Sequence, residues 1–574
     1  MKETIIILGA GVMQGPAITI AKELGFYTIV LDGSSSAPCI SMADRFEKID
    51  LKDKEGIEVF ARSVKKNTKR LGIMTAGTDF SSSVAWTAEK LGLPGIPYKA
   101  ALNASDKSRM RECLKKASLP SPEFITITAA DINLSALNEK IPFPFPIVLK
   151  PVDNMGSRGC RRVDSIDEFK EAAKTAISFS RSGRAIAESF MDGPEFSVDA
   201  IVYHGEIRIC GLADRHIFFP PYFIEMGHTM PTTIEAEKQN AMLTTFIDGV
   251  RALGIADEKC IGAAKGDIKL TSKGPMIGEI AARLSGGYMS GWTYPYSSGV
   301  LPVKAAIQIA MGYKPDPADF DPQKKWTCAE RAFISIPGTV KQIVMNGGKN
   351  VINNTESFST EVKKTDNNIN DLFLRIKEGD KVSFPENNVT KCGNIIASAP
   401  EREKAVFSAE NTARSILIRL DPNDNETQEF LSDAHLHRTA DLKEHEKKTK
   451  FPPDAFLLTK KLQELLEQLP ECQIPDSSIY IKLNQNCNSL FKIIPFPEFE
   501  SSDLKDYMGR TVKDSLAAVK ILTGVCVSAE SQYVNVFEPS KNAENIILGR
   551  SFWRAFVRGS YQGAVYYIDK LEAK

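Results

Sequence analysis

Over its first hundred residues the chain alternates short apolar runs with stretches whose apolar residues recur at helical spacing. The apolar runs occupy 5–8, 27–31 and 71–75, and the amphipathic stretches end near Leu24 and Leu91. Because each short run is followed by a helical stretch, the pattern predicts βαβ units and a parallel sheet.

A different pattern follows. Ser105 and Asp106 offer a cap for a helix that ends near Leu114. Residues 142–162 predict a strand, a glycine-bearing loop and a second strand before a helix near Asp167, and 266–280 predict a hairpin with a Ser-Lys-Gly turn.

Residues 325–420 are strand-rich and end with a predicted helix over 402–415 and a strand over 416–420, which indicates a small mixed α/β lobe. The polar cluster at 421–427 predicts a linker. Beyond it, segments such as KKLQELLEQL and GRSFWRAFVRGSYQGAVYYIDKL have helical spacing, so we expect a further α-rich or α+β domain. The predicted fold class is α/β.

Composition narrows the picture. The chain has 574 residues, with 72 Lys plus Arg balanced by 72 Asp plus Glu, so no overall charge favours nucleic acid or an anionic membrane. Its ten cysteines lie singly, which favours a reducing cytoplasm, and no apolar run approaches the roughly 18 residues of a membrane helix. We therefore expect a soluble cytoplasmic protein that binds neither nucleic acid nor membrane.

The first glycine motif, Gly9-Ala-Gly11 with Gly15, follows a predicted strand and opens a helix. With Asp32 at the end of the next strand it suggests a dinucleotide site. Its spacing is one residue too long for the usual fingerprint, and this favours the alternative, tight packing of strand on helix.

Two lysines and a glycine loop suggest phosphate binding. Lys107 opens a predicted helix, Lys150 ends a strand, and 155–159 (MGSRG) could close over a polyphosphate through its N–H groups. Taken singly, the lysines could equally be surface charges and the loop a hairpin turn.

Carboxylates follow in order. Glu188 ends a strand and Glu195 begins another, where a purine slot and a ribose-binding acid could lie, with surface acids beside a turn as the alternative. Asp267 and Glu279 lie on paired strands and suit Mg²⁺, or else belong to a hairpin with one solvent face. Arg283, before Leu-Ser-Gly-Gly-Tyr, could bind phosphoryl or carboxylate oxygens.

From the first strand to about Leu420, the chain resembles the ATP-grasp superfamily. The resemblance lies in an ordered set of motifs, and their order is more specific than any one of them. The motifs are Asp106-Lys107, Val148-Leu-Lys150-Pro with MGSRG, Glu188 followed by GPEFSVD, GHTMP at 227–231, and GEIAARLSGG.

The resemblance implies the site. Lys107 and Lys150 would hold ATP phosphates under a mobile loop formed by Gly156, Ser157 and Gly159. The adenine slot would be lined by Glu188, Ser189, Phe190 and Met191, and Glu195 would bind ribose. Asp267 and Glu279 would ligate Mg²⁺, with Mn²⁺ as an alternative.

The resemblance also implies which residues act on the substrate. Arg283 and Lys150 would be catalytic. The residues that would face substrate are His228, Arg283, Ser285, Gly286 and Gly287. The resemblance further implies a first domain of Rossmann-like form that holds no NAD.

Three positions depart from the family pattern. Ala281 stands where Asn is common, Asp267 where Glu is common, and Lys265 where His is common. The closest branch is that of the amino acid ligases, in which His228 would shape the substrate pocket; a structural histidine is the alternative.

The implied domains are a Rossmann-like 1–104, an ATP-grasp domain over 105–325, a lobe over 326–422 similar to the cap of biotin carboxylase, and an additional domain over 427–574. No biotinyl-lysine segment is present. For the last domain we expect oligomerisation or a substrate-covering role, and we expect its Trp553 and Phe556 to lie in a core helix rather than on a nucleic-acid stacking surface.

The implied activity is an ATP-dependent carboxylate-amine ligase that forms an acyl phosphate and releases ADP and phosphate, acting on an amino acid or similar small carboxylate. Two alternatives remain. One is an enzyme that uses bicarbonate or formate, and the other is a non-catalytic ATP-binding regulatory protein, which Ala281 and the additional domain motivate.

Overall fold

The computed structural model describes residues 1–133, 141–345, 366–432, 455–456, 460–468, 490–493, 504–523, 526–528, 545–548 and 550–573. They form two compact units. The first comprises Met1–Arg331 with Glu386–Asn388 and Ile396–Phe407, and the second comprises Ala332–Pro385, Val389–Ile395 and Ser408–Lys574. This grouping is coarser than the four domains expected from the sequence, whose boundaries stay a prediction.

The first unit opens with the predicted parallel sheet. Its strands are β1 (Glu3–Leu8), β2 (Tyr27–Asp32), β3 (Arg45–Lys48) and β4 (Arg70–Met74), in the order β3-β2-β1-β4. The helices α1 (Gly15–Glu23), α2 (Lys54–Lys65) and α3 (Ser81–Leu91) follow β1, β3 and β4.

Strand β1 shows why a run of consecutive apolar residues predicts a strand of a parallel sheet. Ile5 and Ile7 pack in the same core as α1, whereas Ile6 and Leu8 pack in the core that contains residues of α2 and α3. Because both faces of the strand are covered, its apolar residues are consecutive rather than alternating, as is typical of a parallel sheet.

Next come α4 (Tyr98–Ser105), α5 (Lys107–Lys116) and an antiparallel sheet with the order β5-β8-β6-β7. The strands are β5 (Phe124–Thr128), β6 (Ile147–Pro151), β7 (Arg161–Val163) and β8 (Arg184–Ser189), and α6 (Ile166–Ser178) shares their core. The glycine loop predicted between 150 and 161 thus joins β6 to β7.

A larger antiparallel sheet carries the acidic positions. Six of its strands run in the order β13-β12-β9-β10-β11-β14. They are β9 (Glu195–Tyr203), β10 (Glu206–Phe218), β11 (Ile224–Met230), β12 (Ile261–Thr271), β13 (Gly274–Ala281) and β14 (Thr327–Phe333). The helices of this region are α7 (Ala236–Ala252), α8 (Tyr294–Ser297) and α9 (Pro302–Ala310).

The second unit contains a sheet of order β17-β15-β19 and a parallel sheet of order β21-β20-β22. Its strands are β15 (Gly338–Met345), β16 (Ile369–Leu374), β17 (Lys381–Val382), β19 (Ile416–Leu420), β20 (Leu490–Ile493), β21 (Cys526–Ser528) and β22 (Asn545–Leu548), and β18 (Gly393–Ala399) and α10 (Arg402–Ser415) are divided between the units. The later helices are α11 (Asn425–Ser432), α12 (Lys460–Gln468), α13 (Val512–Thr523) and α14 (Arg550–Ala573).

The polar cluster at 421–427 is not a free linker, because it starts α11. The Asp424 carboxylate accepts the Glu426 N–H at 2.9 Å and is bound by Thr339 and Lys381 at 2.6 and 2.8 Å. Burial raises the pKa of Asp424, but these hydrogen bonds outweigh it and lower the pKa to about 2. The turn residues that suggested a linker therefore cap a helix.

Helix α14 joins the expected cap lobe and the last domain in one core. Trp553 and Phe556 are buried, as expected of a core helix, in a cluster that also contains Val344 and Leu417. Gln562 accepts the Ile336 N–H at 3.1 Å and donates to the Ile418 carbonyl at 2.7 Å.

No helix within the described ranges combines the length and apolar character needed to cross a bilayer.

Candidate active site

Lys107 and Lys150 each form an ion pair with a carboxylate, Lys107 with Glu279 and Lys150 with Glu188. Lys107 is the first residue of α5, and its Nζ lies 3.0 Å from Glu279 Oε1 and donates to the Asn154 carbonyl at 2.9 Å. Burial lowers the pKa of Lys107, but the charges of Glu279 and Asp79 outweigh it and raise the pKa. The lysine is therefore held as a cation.

Glu188 lies between two cations. Its Oε2 is 2.7 Å from Lys150 Nζ, and its Oε1 accepts from Arg111 Nε at 2.8 Å. Burial raises the pKa of Glu188, but the charges of Arg111 and Lys150 outweigh it and hold the pKa below its usual range. The cluster has two positive charges for one negative charge, which leaves it suited to an anion.

Arg111 was missed in the sequence. It is completely buried, and its Nη2 also donates to the Gly278 carbonyl at 2.6 Å. Its position four residues after Lys107 on α5 is a signal that could have found it, because residues at that spacing share one face of a helix.

The segment Glu188–Met191, expected to line an adenine slot, is partly occupied by the protein itself. The Glu188 carboxylate faces Arg111 and Lys150, and the Ser189 and Phe190 N–H groups bind the Glu123 and Pro146 carbonyls at 2.9 and 3.3 Å. Lys269 donates to the Met191 carbonyl at 3.2 Å. An adenine contact here stays a prediction, and the Glu188 carboxylate would not supply it in this conformation.

The glycine loop adopts a left-handed backbone at three residues. Gly156, Ser157 and Gly159 have φ values of 69°, 58° and 69°. At Gly159 a Cβ atom would lie 2.9 Å from the Phe179 ring, so glycine is required there for space as well as for conformation. The loop lies next to Lys107 in the fold, because Asn154 at its start accepts the hydrogen bond from that lysine.

The opposite arrangement surrounds Arg215, which the sequence analysis also missed. Its guanidinium pairs with Glu195, with Glu225 at 2.9 Å and with Asp267 at 2.9 Å. Lys265 forms a further ion pair with Asp267. In these ion pairs three carboxylates share two cations, so the pairs themselves carry surplus negative charge. The signal for Arg215 is its register, since it lies directly across from Glu195 on neighbouring strands.

Glu195 was expected to bind ribose. In the structure its carboxylate is engaged by Arg215, and burial raises its pKa against the opposing effect of that arginine. The ribose contact stays a prediction.

Asp267 and Glu279 lie directly opposite each other on β12 and β13, as the predicted hairpin requires. Asp267 also accepts from Ser197 Oγ at 3.1 Å. Burial raises the pKa of Glu279, but Lys107, Lys265 and Lys150 outweigh it and lower the pKa strongly. Glu279 is therefore held in the charged form that a cation requires.

Asp267 and Glu279 suit a Mg²⁺ ion better than they suit a metal ion that is coordinated only by protein side chains. Among the residues described, no three His, Cys, Asp or Glu side chains gather as a metal cluster. Ala281, across from Lys265, adds no side-chain oxygen. Because Mg²⁺ is usually held by one or two carboxylates together with phosphates and water, a two-carboxylate site suits it.

Arg283 follows β13. Its Nη1 donates to the Leu284 carbonyl at 3.0 Å, and its Nε is buried with no hydrogen-bond partner within the described structure. Asp79, a residue that the sequence analysis missed, follows β4, where the carboxyl end of a parallel strand commonly meets a ligand. Burial raises the pKa of Asp79 against the charges of Lys107 and Arg283, and its Oδ2 lies 3.4 Å from Arg181.

The turn Ser285-Gly286-Gly287 packs on the first sheet's loop. Ser285 N–H donates to Asp199 Oδ1 at 2.8 Å, and a Cβ at Gly77 would lie 3.1 Å from Gly286 Cα. The two backbones therefore approach too closely for side chains on either glycine.

His228 is fully buried. Its Nε2 hydrogen bonds with Thr293 Oγ1 at 3.0 Å, and its Nδ1 lies 3.2 Å from Glu330. These contacts favour the structural alternative over a contact with substrate. The glycine motif at residues 9–15 gives a similar result: Gln14 accepts the Gly11 N–H at 3.0 Å and Asp32 accepts the Ala10 N–H at 2.9 Å, as tight packing requires.

The chain is similar to known proteins in one domain and in its fold. Residues 143–290 match the model of the ATP-grasp domain. Carnosine synthase 1 of Gallus gallus is 23% identical over 336 residues, which cover 55% of this chain and 36% of that protein. The chain thus spans well under two thirds of the length of this relative.

Two solved structures share the fold. The L-amino acid ligase from Bacillus licheniformis gives a TM-score of 0.60 at 21% identity, with 73% of this chain and 100% of that chain covered. The biotin carboxylase domain of the Hydrogenobacter thermophilus 2-oxoglutarate carboxylase, in complex with MgADP, ADP and bicarbonate, gives 0.53 at 18% identity, with 73% and 91% covered.

The resemblance seen in the sequence is thereby confirmed: residues 143–290 match the ATP-grasp domain, and the chain is similar to carnosine synthase and to an amino acid ligase.

Proposed function

We propose that this chain is an ATP-dependent ligase that joins a small carboxylate to an amine through an acyl phosphate. One observation carries the proposal. Glu279 lies between the two charged clusters, 3.0 Å from Lys107 and within the electrostatic reach of Lys150 and Lys265. A region with surplus positive charge therefore adjoins one with surplus negative charge, as a metal-bound polyphosphate requires.

In the proposed reaction a carboxylate oxygen of the substrate attacks the γ-phosphorus of ATP, and the bond from that phosphorus to the β-bridging oxygen breaks to give ADP. The amine then attacks the carbonyl carbon of the acyl phosphate. A C–N bond forms, phosphate leaves with one oxygen of the original carboxylate, and the amine loses a proton to the surroundings. No protein nucleophile takes part.

Each side chain has a defined task in this proposal. Lys107 and Lys150 bind phosphate oxygens, and Arg283 offers its guanidinium to the phosphoryl group or the acyl phosphate. Asp267 and Glu279 would hold Mg²⁺, which supplies charge neutralisation on the phosphates when bound. The loop at 155–159 excludes water, which would otherwise hydrolyse the acyl phosphate.

A small apolar cavity beside Arg283 favours a short aliphatic carboxylate. The cavity has a volume of about 60 Å³, and most of its lining is aliphatic, including Ile96, Ala263 and Ile309. A cavity of about 150 Å³ holds a six-carbon benzene ring, so about two or three carbon atoms fit here. We infer that the cavity takes the aliphatic part of the carboxylate substrate while Arg283 binds its charged end.

The test is phosphate release from MgATP by the purified protein in three parallel mixtures. They contain pooled amino acids, bicarbonate, or formate with amines. Release only with amino acids, followed by detection of a dipeptide or amide product, supports the ligase. Release only with bicarbonate or formate supports the carboxylase-like alternative, and ATP binding without release in any mixture supports the regulatory alternative.

A further inference from the structure

Asn388 is bound to the glycine loop although it lies more than 200 residues away in sequence. Its N–H donates to the Gly156 carbonyl at 2.9 Å, and its Nδ2 donates to Ser157 Oγ at 3.2 Å. Glu386–Asn388 belongs to the first compact unit, as the glycine loop does. Both contacts fall on the residues that have left-handed backbones.

The third polar group of Asn388 reaches a strand. Its Oδ1 accepts the N–H of Glu225, on β11, at 2.7 Å. The amide nitrogen donates to Ser157 and the amide oxygen accepts a backbone N–H, so these partners also fix which way the amide faces. The Asn388 side chain thus binds the loop through its Nδ2 and β11 through its Oδ1.

Ser157 completes the set of contacts. Its Oγ accepts from Asn388 and donates to the Phe223 carbonyl at 3.1 Å. A non-glycine residue with φ of 58° persists only where its surroundings hold it. Asn388 and Phe223 supply those surroundings.

The strand to which the loop is fastened leads directly to the acidic cluster. The Glu225 carboxylate receives two hydrogen bonds from Arg215, from Nη2 at 2.9 Å and from Nε at 3.2 Å. Arg215 in turn lies 2.9 Å from Asp267. Asn388 therefore connects the glycine loop to the strand that carries Glu225, a partner of Arg215.

We propose that Asn388 is a positioning residue that holds the glycine loop in place for the phosphates of ATP. The role toward ATP rests on the function proposed above. The attachment of the loop by Asn388 is a property of the protein without nucleotide. Asn388 acts through the loop and touches neither substrate nor metal. Nothing in the sequence pattern around 386–388 pointed to this contact.

The test uses the full chain and the trypsin site that the loop contains, the bond after Arg158. Asn388→Ala removes both side-chain contacts, and Asn388→Asp keeps the acceptor but loses the donor. Val389→Ala is the control, because Val389 is the next residue and is 55% exposed. Cleavage after Arg158 is measured by mass spectrometry without nucleotide, together with the Kd for MgATP and the thermal midpoint.

We expect Asn388→Ala to raise the initial cleavage rate after Arg158 by about tenfold. The reason is that the loop can then open locally without breaking the side-chain hydrogen bonds of Asn388. Asn388→Asp should fall between Asn388→Ala and the wild type, Val389→Ala should match the wild type, and the Kd for MgATP should rise in the same order. Wild-type cleavage in a folded Asn388→Ala variant would overturn the proposal, even if MgATP binding proves absent from the wild type as well.

A double-mutant cycle with Ser157→Ala keeps the test decisive if Asn388→Ala lowers the thermal midpoint. If the two side chains act through their mutual hydrogen bond, the increases in cleavage rate should be less than multiplicative. Fully multiplicative effects would show that Asn388 acts elsewhere and would overturn the proposal.

Discussion

The two buried charge clusters of the first unit are built in opposite senses. Around Glu188, one acid is shared by Arg111 and Lys150, whereas around Arg215 one arginine is shared by Glu195, Glu225 and Asp267. Each cluster is too unbalanced to be explained by ion pairing alone, since buried charges are costly unless paired. The first leaves room for an anion and the second for a cation, which are the two parts of a metal-bound nucleotide.

Removing the central arginine is expected to have the largest effect. Arg215→Met removes the cation that pairs with all three carboxylates, so we expect the free energy of unfolding to fall by about 3–5 kcal/mol. Arg111→Met is the matched variant, and it should cost less because Glu188 keeps Lys150 as a balanced partner. Denaturant unfolding measures both, and an Arg111→Met variant less stable than Arg215→Met would contradict the comparison.

Removing Lys150 from the cluster around Glu188 should affect turnover rather than folding. For Lys150→Ala we expect turnover to fall by about 100- to 1,000-fold, as when one preorganised donor is lost from an active site. Phosphate release measures it. Lys174→Ala is the control, because Lys174 forms an exposed ion pair with Glu171 and should behave as the wild type. Near wild-type turnover in folded Lys150→Ala would remove Lys150 from the site.

The acidic side is tested by its metal dependence. Glu279→Gln should raise the Mg²⁺ concentration for half-maximal turnover by at least about 10- to 100-fold, since an oxygen ligand loses its charge. Titration of Mg²⁺ at saturating ATP measures this shift, with Glu171→Gln on the exposed face of α6 as the control. An unchanged half-maximal concentration would show that Glu279 does not serve the metal.

The smallest effect expected is that of pH. The pKa of Lys107 is raised and that of Glu279 is lowered, so the lysine keeps its proton as pH rises and the glutamate keeps its charge as pH falls. Their contribution to stability is fully present between the unfolded values of about 4.3 and 10.4.

The Kd for MgATP should therefore vary by less than about twofold between pH 6 and 9. Isothermal titration across that range measures it. A titration of the Kd with a midpoint inside the range, abolished by Lys107→Ala, would contradict the charged state assigned to this pair.

Local patterns predicted what depends on neighbours in the chain. The apolar runs located the parallel sheet, the hairpin that pairs Asp267 with Glu279 was correct, and α10 and β19 begin and end at the expected residues. These features depend on periodicity and turn chemistry, which a short window of sequence contains.

Features that depend on distant packing were not predicted. Asn388 acts on a loop more than 200 residues away in the chain, and Arg215 joins carboxylates from three other strands. The burial of Glu188 between two cations gives the expected adenine segment a partly internal use. The expected linker at 421–427 starts a helix instead, because its polar groups cap α11 and bind β15 and β17. Which polar residue meets which is decided by the tertiary fold.

The measurement that tests the ligase chemistry most directly is the fate of the carboxylate oxygens. Amino acids labelled with ¹⁸O in the carboxylate are incubated with MgATP and the protein, and the phosphate released is analysed by mass spectrometry. An acyl phosphate intermediate predicts phosphate that carries one ¹⁸O per turnover together with a C–N bonded product. Phosphate released without label during turnover would mean that water, and not the carboxylate, receives the phosphoryl group, and would contradict the proposed function.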